Sequence, residues 1–143
     1  MSRRVVITGV GLVTPLGIGV KETWSALCAG VSGITEITRF DTTGFNTKIA
    51  GEVKGFKPED FMSKKDAQRS ELFIAYAVAA ARMAIEDSGF VIDTSNYDRV
   101  GVITGCGLGG LGLMEKTILD ISRKGPGRVS PFFIPLMIGN MAP

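Results

Sequence analysis

Histidine is absent from this 143-residue chain, and cysteine occurs only twice, as Cys28 and Cys106. Without an imidazole the chain lacks the side chain that most often moves protons near neutral pH. The two cysteines show no metal-ligand spacing, so no metal site is expected. Long apolar runs are missing as well: residues 72–81 are all apolar, but ten residues fall short of the ~20 that span a bilayer. Charge of one sign is scarce, since 16 Lys and Arg against 14 Asp and Glu leave a net charge of +2. No basic run is interleaved with aromatic residues, which argues against a nucleic-acid groove. No Gly-Lys pair precedes Ser or Thr, so a Walker-type phosphate loop is excluded. Arg3 and Arg4 before Val5, Val6 and Ile7 imitate a secretory signal, yet Gly9, Gly11 and Pro15 break the apolar stretch and no small-residue cleavage site follows. Together these absences point to a cytoplasmic protein away from membranes and nucleic acid.

What is present suffices for a fold. The chain is 45% apolar with a mean hydropathy of +0.25, and a domain of this length buries roughly 70% of its unfolded surface. Residues 4–9 read as a buried β-branched strand and residues 12–17 as a turn fixed by Pro15. Residues 20–29 read as a short helix whose apolar face is Val20, Trp24, Leu27 and Cys28, with Gly30 as a left-handed cap and Cys28 as a buried thiol. Residues 32–47 show no sustained period and are expected to be a long ordered loop, followed by a short strand over 48–53. Residues 71–88 give the strongest helix, with Leu72, Tyr76, Ala80 and Met83 in one stripe and Phe73, Ala77, Ala81 and Ala84 in another. Gly89 ends it. Its alanines predict burial between layers with close backbone approach. A buried strand over 100–104 and a helix over 111–123 complete an alternation that implies an α/β fold, a mostly parallel sheet with flanking helices.

Nineteen glycines stand out, five of them between Gly105 and Gly112. Gly105, Gly107 and Gly110 satisfy G-x-G-x-x-G between a strand and a helix, as do Gly107, Gly109 and Gly112. A dinucleotide site also needs an acidic residue about 20 positions onward at the tip of a second strand. Here the last acid is Asp120, inside the helix. The earlier pair, Gly9 and Gly11, is followed by Thr14 and Pro15 where a third glycine and a helix start belong. A dinucleotide-binding module therefore remains only as a minor alternative.

Four stretches taken in order, RRVVITGVGLVTPLG, KIAGEVKGF, VGVITGCGLGGLG and SPFFIPLMIGNMAP, resemble the N-terminal part of the β-ketoacyl-acyl-carrier-protein synthases of the type II, fatty-acid elongating kind. The resemblance implies a thiolase-like layered fold, with this chain as the N-terminal part of its first half, and a homodimer in the complete enzyme. It implies an acyltransferase that condenses malonyl-carrier protein with an acyl-enzyme thioester, with no metal or organic cofactor. The nucleophilic cysteine, two histidines and a lysine of that family would lie beyond Pro143, so residues 1–143 are expected to contain no catalytic residue and to be inert alone. Cys106 matches a position usually filled by a small residue, with no base in the chain to activate it. The resemblance further implies that Leu108 and Leu111 project into the acyl channel, and that Phe133 and Met137 reach across the dimer to line the partner's. A non-catalytic partner of the chain-length-factor kind would share this region and stays open as the main alternative.

Two groups of cations suit an acidic acyl carrier protein, because complementary charge speeds encounter and fixes orientation. Lys64, Lys65 and Arg69 precede the long helix, with Lys65 and Arg69 at i and i+4, and Arg123, Lys124 and Arg128 follow the last acid. Gln68 departs from the basic residue often seen in the family. Strands that should pair with those of this chain are expected in the remainder of the synthase, so apolar faces here would stay uncovered and favour association.

Overall fold

The computed structural model describes residues 3–142. They fall into two compact units, one reaching to Lys57 and including Ala79–Phe90, the other formed by Pro58–Val78 with Val91 onward.

In the first unit, Pro15 and Leu16 close a hairpin of β1 (Val13–Thr14) and β2 (Gly17–Ile18), with Thr14 opposite Gly17. Thr14 Oγ1 accepts from the backbone N–H of Leu16 at 3.1 Å and of Gly17 at 3.2 Å, so the threonine holds its own turn. Helix α1 (Val20–Cys28) follows and is tied to the hairpin by Thr23, whose hydroxyl lies 3.1 Å from Thr14 Oγ1 and donates to Gly17 O at 3.3 Å. Gly30 takes φ +68 after it, the left-handed end the sequence predicts. Strands β3 (Ile34–Glu36) and β4 (Ile49–Gly51) form a second antiparallel pair, with Thr35 opposite Ala50. Buried Glu52 accepts from the backbone N–H of Thr38 and Arg39 and from the Thr38 hydroxyl at 2.8 Å, fixing the chain where it leaves β3.

Helix α2 (Lys64–Ala67) is capped by Ser63, whose hydroxyl oxygen accepts from Asp66 N–H at 3.1 Å. Helix α3 (Leu72–Ser88) matches the predicted span, and Gly89 ends it at φ +63. In the first unit, Gly9 and Gly11 lie so close to the α3 backbone at Ala80, Ala84 and Ser88 that a Cβ on either would collide with a carbonyl. That is the close approach the alanines foretold, and Val10 N–H donates to Asp87 Oδ2 at 2.9 Å beside it. The second unit ends in α4 (Leu111–Lys124) and the short α5 (Phe133–Met137).

Five expectations change. Residues 4–9 and 100–104 are not strands: no ladder partner lies beside them among the described residues, and Val5 and Ile103 are 91% and 98% exposed. The pairing among the described residues is antiparallel and local, because a parallel ladder needs a distant strand brought alongside. The apolar side of α1 faces outward, with Trp24 65% exposed and Cys28 exposed, since the hydroxyl of Thr23 selects the side that meets the hairpin. Residues 34–36, read as loop, form β3, a strand too short to show a period before β4 pairs with it. Finally, α3 buries Ala75 and Ala79 rather than both of its stripes; these two lie one turn apart on a single line.

Candidate functional site

The glycine loop gains its shape from α5. Gly110 N–H, at the head of α4, donates to Met137 O at 2.9 Å, and Gly109 N–H donates to Cys106 Sγ at 3.1 Å. Gly109 sits at φ +69 with the Met137 carbonyl where a Cβ would project, and a Cβ on Gly110 would stand 2.6 Å from Leu136 O. These glycines therefore admit the chain's own backbone. The Gly110 N–H is committed to Met137 and is therefore not available to a phosphate.

The four apolar candidates are gathered around this clasp. Leu108 lies in the loop and Leu111 opens α4, 72% and 54% exposed, while Phe133 and Met137 stand at i and i+4 on α5, both half-buried. Ser130 sets the start of α5: its hydroxyl accepts from Phe132 N–H at 3.2 Å and its carbonyl from Phe133 N–H at 3.0 Å. One end of the segment thus rests on the serine and the other on the glycine loop. Cys106 is exposed, and among the described residues no cluster of three His, Cys, Asp or Glu side chains could hold a metal.

The basic candidates divide. Lys64 and Lys65 are exposed on α2, and Arg69 is exposed with its guanidinium 5.9 Å from the centroid of the Phe132 ring, a cation–π contact that anchors this arginine to the residue preceding α5. Arg123 and Lys124 close α4, where Lys124 Nζ meets Asp120 Oδ1 at 2.6 Å. Arg128 follows in the single turn Pro126–Arg128. Sequence reasoning missed Lys116, which lines a hollow of about 160 Å³ together with Thr117, Asp120, Arg128 and Ser130. The signal was the spacing of Lys116, Arg123 and Lys124 at i, i+7 and i+8, which places all three on one side of α4. Asp120 titrates below the usual carboxylate range, chiefly through the hydrogen bond from Lys124 and further through the charges of Lys124, Lys116 and Arg123.

Among the described residues no helix is long and apolar enough to cross a membrane. Residues 2–143 match the family model described as beta-ketoacyl synthase, N-terminal domain. The 3-oxoacyl-(acyl-carrier-protein) synthase 2 of Vibrio cholerae serotype O1 is 52% identical over 140 residues, which cover 98% of this chain and 34% of that protein. The Staphylococcus aureus protein of the same name is 45% identical over 141 residues, with 99% and 34% covered. A solved structure described as the ishigamide ketosynthase/chain length factor superposes with a TM-score of 0.80 at 32% identity, covering 98% of this chain and 35% of that one. The chain spans about a third of the length of the curated relatives it matches.

Proposed function

The chain belongs to the beta-ketoacyl synthase family, matching its N-terminal domain, and on that premise we propose that the complete protein is a 3-oxoacyl-carrier-protein synthase of fatty-acid biosynthesis. An acyl group passes from carrier protein to a cysteine thiolate, releasing the carrier thiol. Malonyl-carrier protein then loses carbon dioxide, and the carbanion left behind attacks the acyl thioester to give 3-oxoacyl-carrier protein and the free cysteine. The reacting cysteine, histidines and lysine belong to sequence beyond Pro143, so residues 1–143 form the N-terminal portion of the domain and supply none of the chemistry. They supply scaffold and recognition. Residues 4–9 and 100–104 become members of a mostly parallel sheet once strands from the remainder lie beside them. Leu108, Leu111, Phe133 and Met137 line acyl channels, the last two across a homodimer. Lys64, Lys65, Arg69, Arg123, Lys124 and Arg128 receive the acidic carrier.

The observation that carries this reading is the clasp between Gly110 and Met137, which brings the glycine loop and α5 together with their apolar side chains. A channel for methylene chains needs such flexible and aromatic apolar walls. The test is condensation by the complete protein, followed by mass spectrometry of carrier-bound products. Replacing Leu108 by Trp is expected to shorten the longest product while malonyl decarboxylation continues. An unchanged product length sinks the channel assignment, and failure of the wild-type protein to form an acyl-enzyme sinks the synthase reading.

A second reading draws on the ketosynthase/chain length factor structure. In that case the complete protein lacks the nucleophile and sets chain length for a catalytic partner subunit. It would form no acyl-enzyme alone, yet would alter product length when paired.

A further inference from the structure

We propose that Asp120 is a resident counter-ion on the basic side of α4, exchanged for a carboxylate of the acidic carrier that enters the hollow between α4 and residues 128–130, where Lys116 receives it. This rests on the carrier-docking reading and adds to it a receiving residue, Lys116, and an opposing one, Asp120.

Geometry supplies the argument. Lys116, Asp120 and Lys124 succeed one another at i, i+4 and i+8, so the carboxylate lies between two ammonium groups along one line of the helix. Its bond to Lys124 is short, at 2.6 Å, but the pair is not sequestered: the Lys124 and Asp120 side chains are 59% and 34% exposed. An ion pair open to water is worth at most about five-fold in an equilibrium, so a carboxylate arriving at Lys116 can compete with Asp120 for the cations of this face. The hollow of about 160 Å³ beside it is lined by Lys116, Thr117, Asp120, Arg128 and Ser130 together with the apolar Leu113 and Val129. That volume admits a carboxylate head with water beside it. Cations stand on both walls, and the hydroxyls of Thr117 and Ser130 add donors. Ser130 Oγ already accepts from Phe132 N–H, leaving its own proton to donate. The neighbouring depression carries Lys116, Asp120, Arg123 and Lys124 with a second acid, Glu115.

Until a partner arrives, Asp120 keeps Lys124 ordered and reduces the net charge of the face. A weakly acidic protein gains too little to displace it, whereas a strongly acidic carrier brings several carboxylates at once. The device favours selectivity at some cost in affinity.

Binding of a fluorescently labelled, acidic acyl carrier protein to the complete protein, followed by anisotropy, tests this. Asp120→Asn should tighten binding about two- to ten-fold at 50 mM salt, with the gain shrinking at 0.5 M as screening sets in. Lys116→Gln should weaken binding and remove most of the gain in the double variant. Glu115→Gln deletes an acid from the same face without touching the pair and should have the smaller effect. Circular dichroism checks that each variant folds. Equal effects of Asp120→Asn and Glu115→Gln mean a general field and overturn the exchange. If Lys64→Gln with Lys65→Gln weakens binding while the Asp120 and Lys116 variants are silent, the exchange alone is wrong. If all of them are silent, carrier docking on this surface is wrong and the exchange falls with it.

Discussion

A methyl group added to Gly109 would have to share space with the Met137 carbonyl, on a backbone already at φ +69. The left-handed conformation alone costs a non-glycine residue about 1–2 kcal/mol, and displacing a peptide group adds to it. Gly109→Ala should therefore lower the urea midpoint and speed hydrogen exchange at the Gly110 amide. Gly112, inside α4 with open space around its missing side chain, should behave oppositely. There alanine is expected to stabilise by about 0.5–1 kcal/mol, since the helical backbone loses less entropy on folding. Glu52 sets a pH response. Its carboxyl is held below the usual glutamate value of 4.5, first by the Thr38 hydroxyl and also by the N–H groups of Thr38 and Arg39, against the opposing effect of burial. A depressed pKa contributes stability that is fully present above the unfolded value and lost as pH falls through the folded one. Urea midpoints measured from pH 6 to pH 3 should thus decline, and Glu52→Gln should be less stable at pH 6 with a shallower decline. Asp41, Asp93 and Asp120 are also depressed by hydrogen bonds and act in the same direction. An unchanged slope in the Glu52 variant would remove this carboxylate from the acid response.

Helix α1 is attached to its hairpin through the buried hydroxyl of Thr23, while its apolar residues look outward. Deleting that hydroxyl by Thr23→Ala removes one hydrogen bond to Gly17 O, which keeps the one from Thr14 Oγ1, at about 0.5–1.5 kcal/mol. Thermal melts followed by Trp24 fluorescence should shift down accordingly; an unshifted melt would mean the hydroxyl is replaceable by water. The elements differ in how far they could be read in advance. Helix α3 was legible because an apolar line at helical spacing and a terminal glycine are local signals, each complete within a few turns, and α4 because it follows the glycine loop in a strand-helix alternation. The Pro15 turn was legible for the same reason. Strand β3 was not, because three residues carry no period and the ladder is supplied by β4, from 13 to 17 positions away. Nor were the states of residues 4–9 and 100–104: β-branched composition signals a capacity to pair, whereas pairing requires a neighbour.

Across the molecule, Val5, Ile7, Trp24, Val102 and Ile103 are open to solvent, while the buried apolar side chains among the described residues are those of Ala75 and Ala79. Exposed surface of this kind is costly in water and adhesive toward its own kind. The 143-residue chain alone should enhance the fluorescence of an apolar dye and elute in gel filtration at a volume that depends on concentration. A monomer silent toward the dye would contradict the burial pattern. The candidate site was half legible. Leu108, Leu111, Phe133, Met137 and the six cations were identifiable as residues, since motif order and charge are written along the chain. That Gly110 fastens to Met137, that Arg69 rests on Phe132, and that Lys116 shares a hollow with Arg128 were not. Family membership, the two long helices, the glycine that ends α3 and the absence of an imidazole follow from the sequence itself, because each is a property of residue type, of motif order or of spacing within a few turns. Which glycine meets which carbonyl, which face of α1 is held, and where Asp120 stands among its cations were decided by tertiary structure, because those contacts join residues whose distance apart only the folded backbone sets.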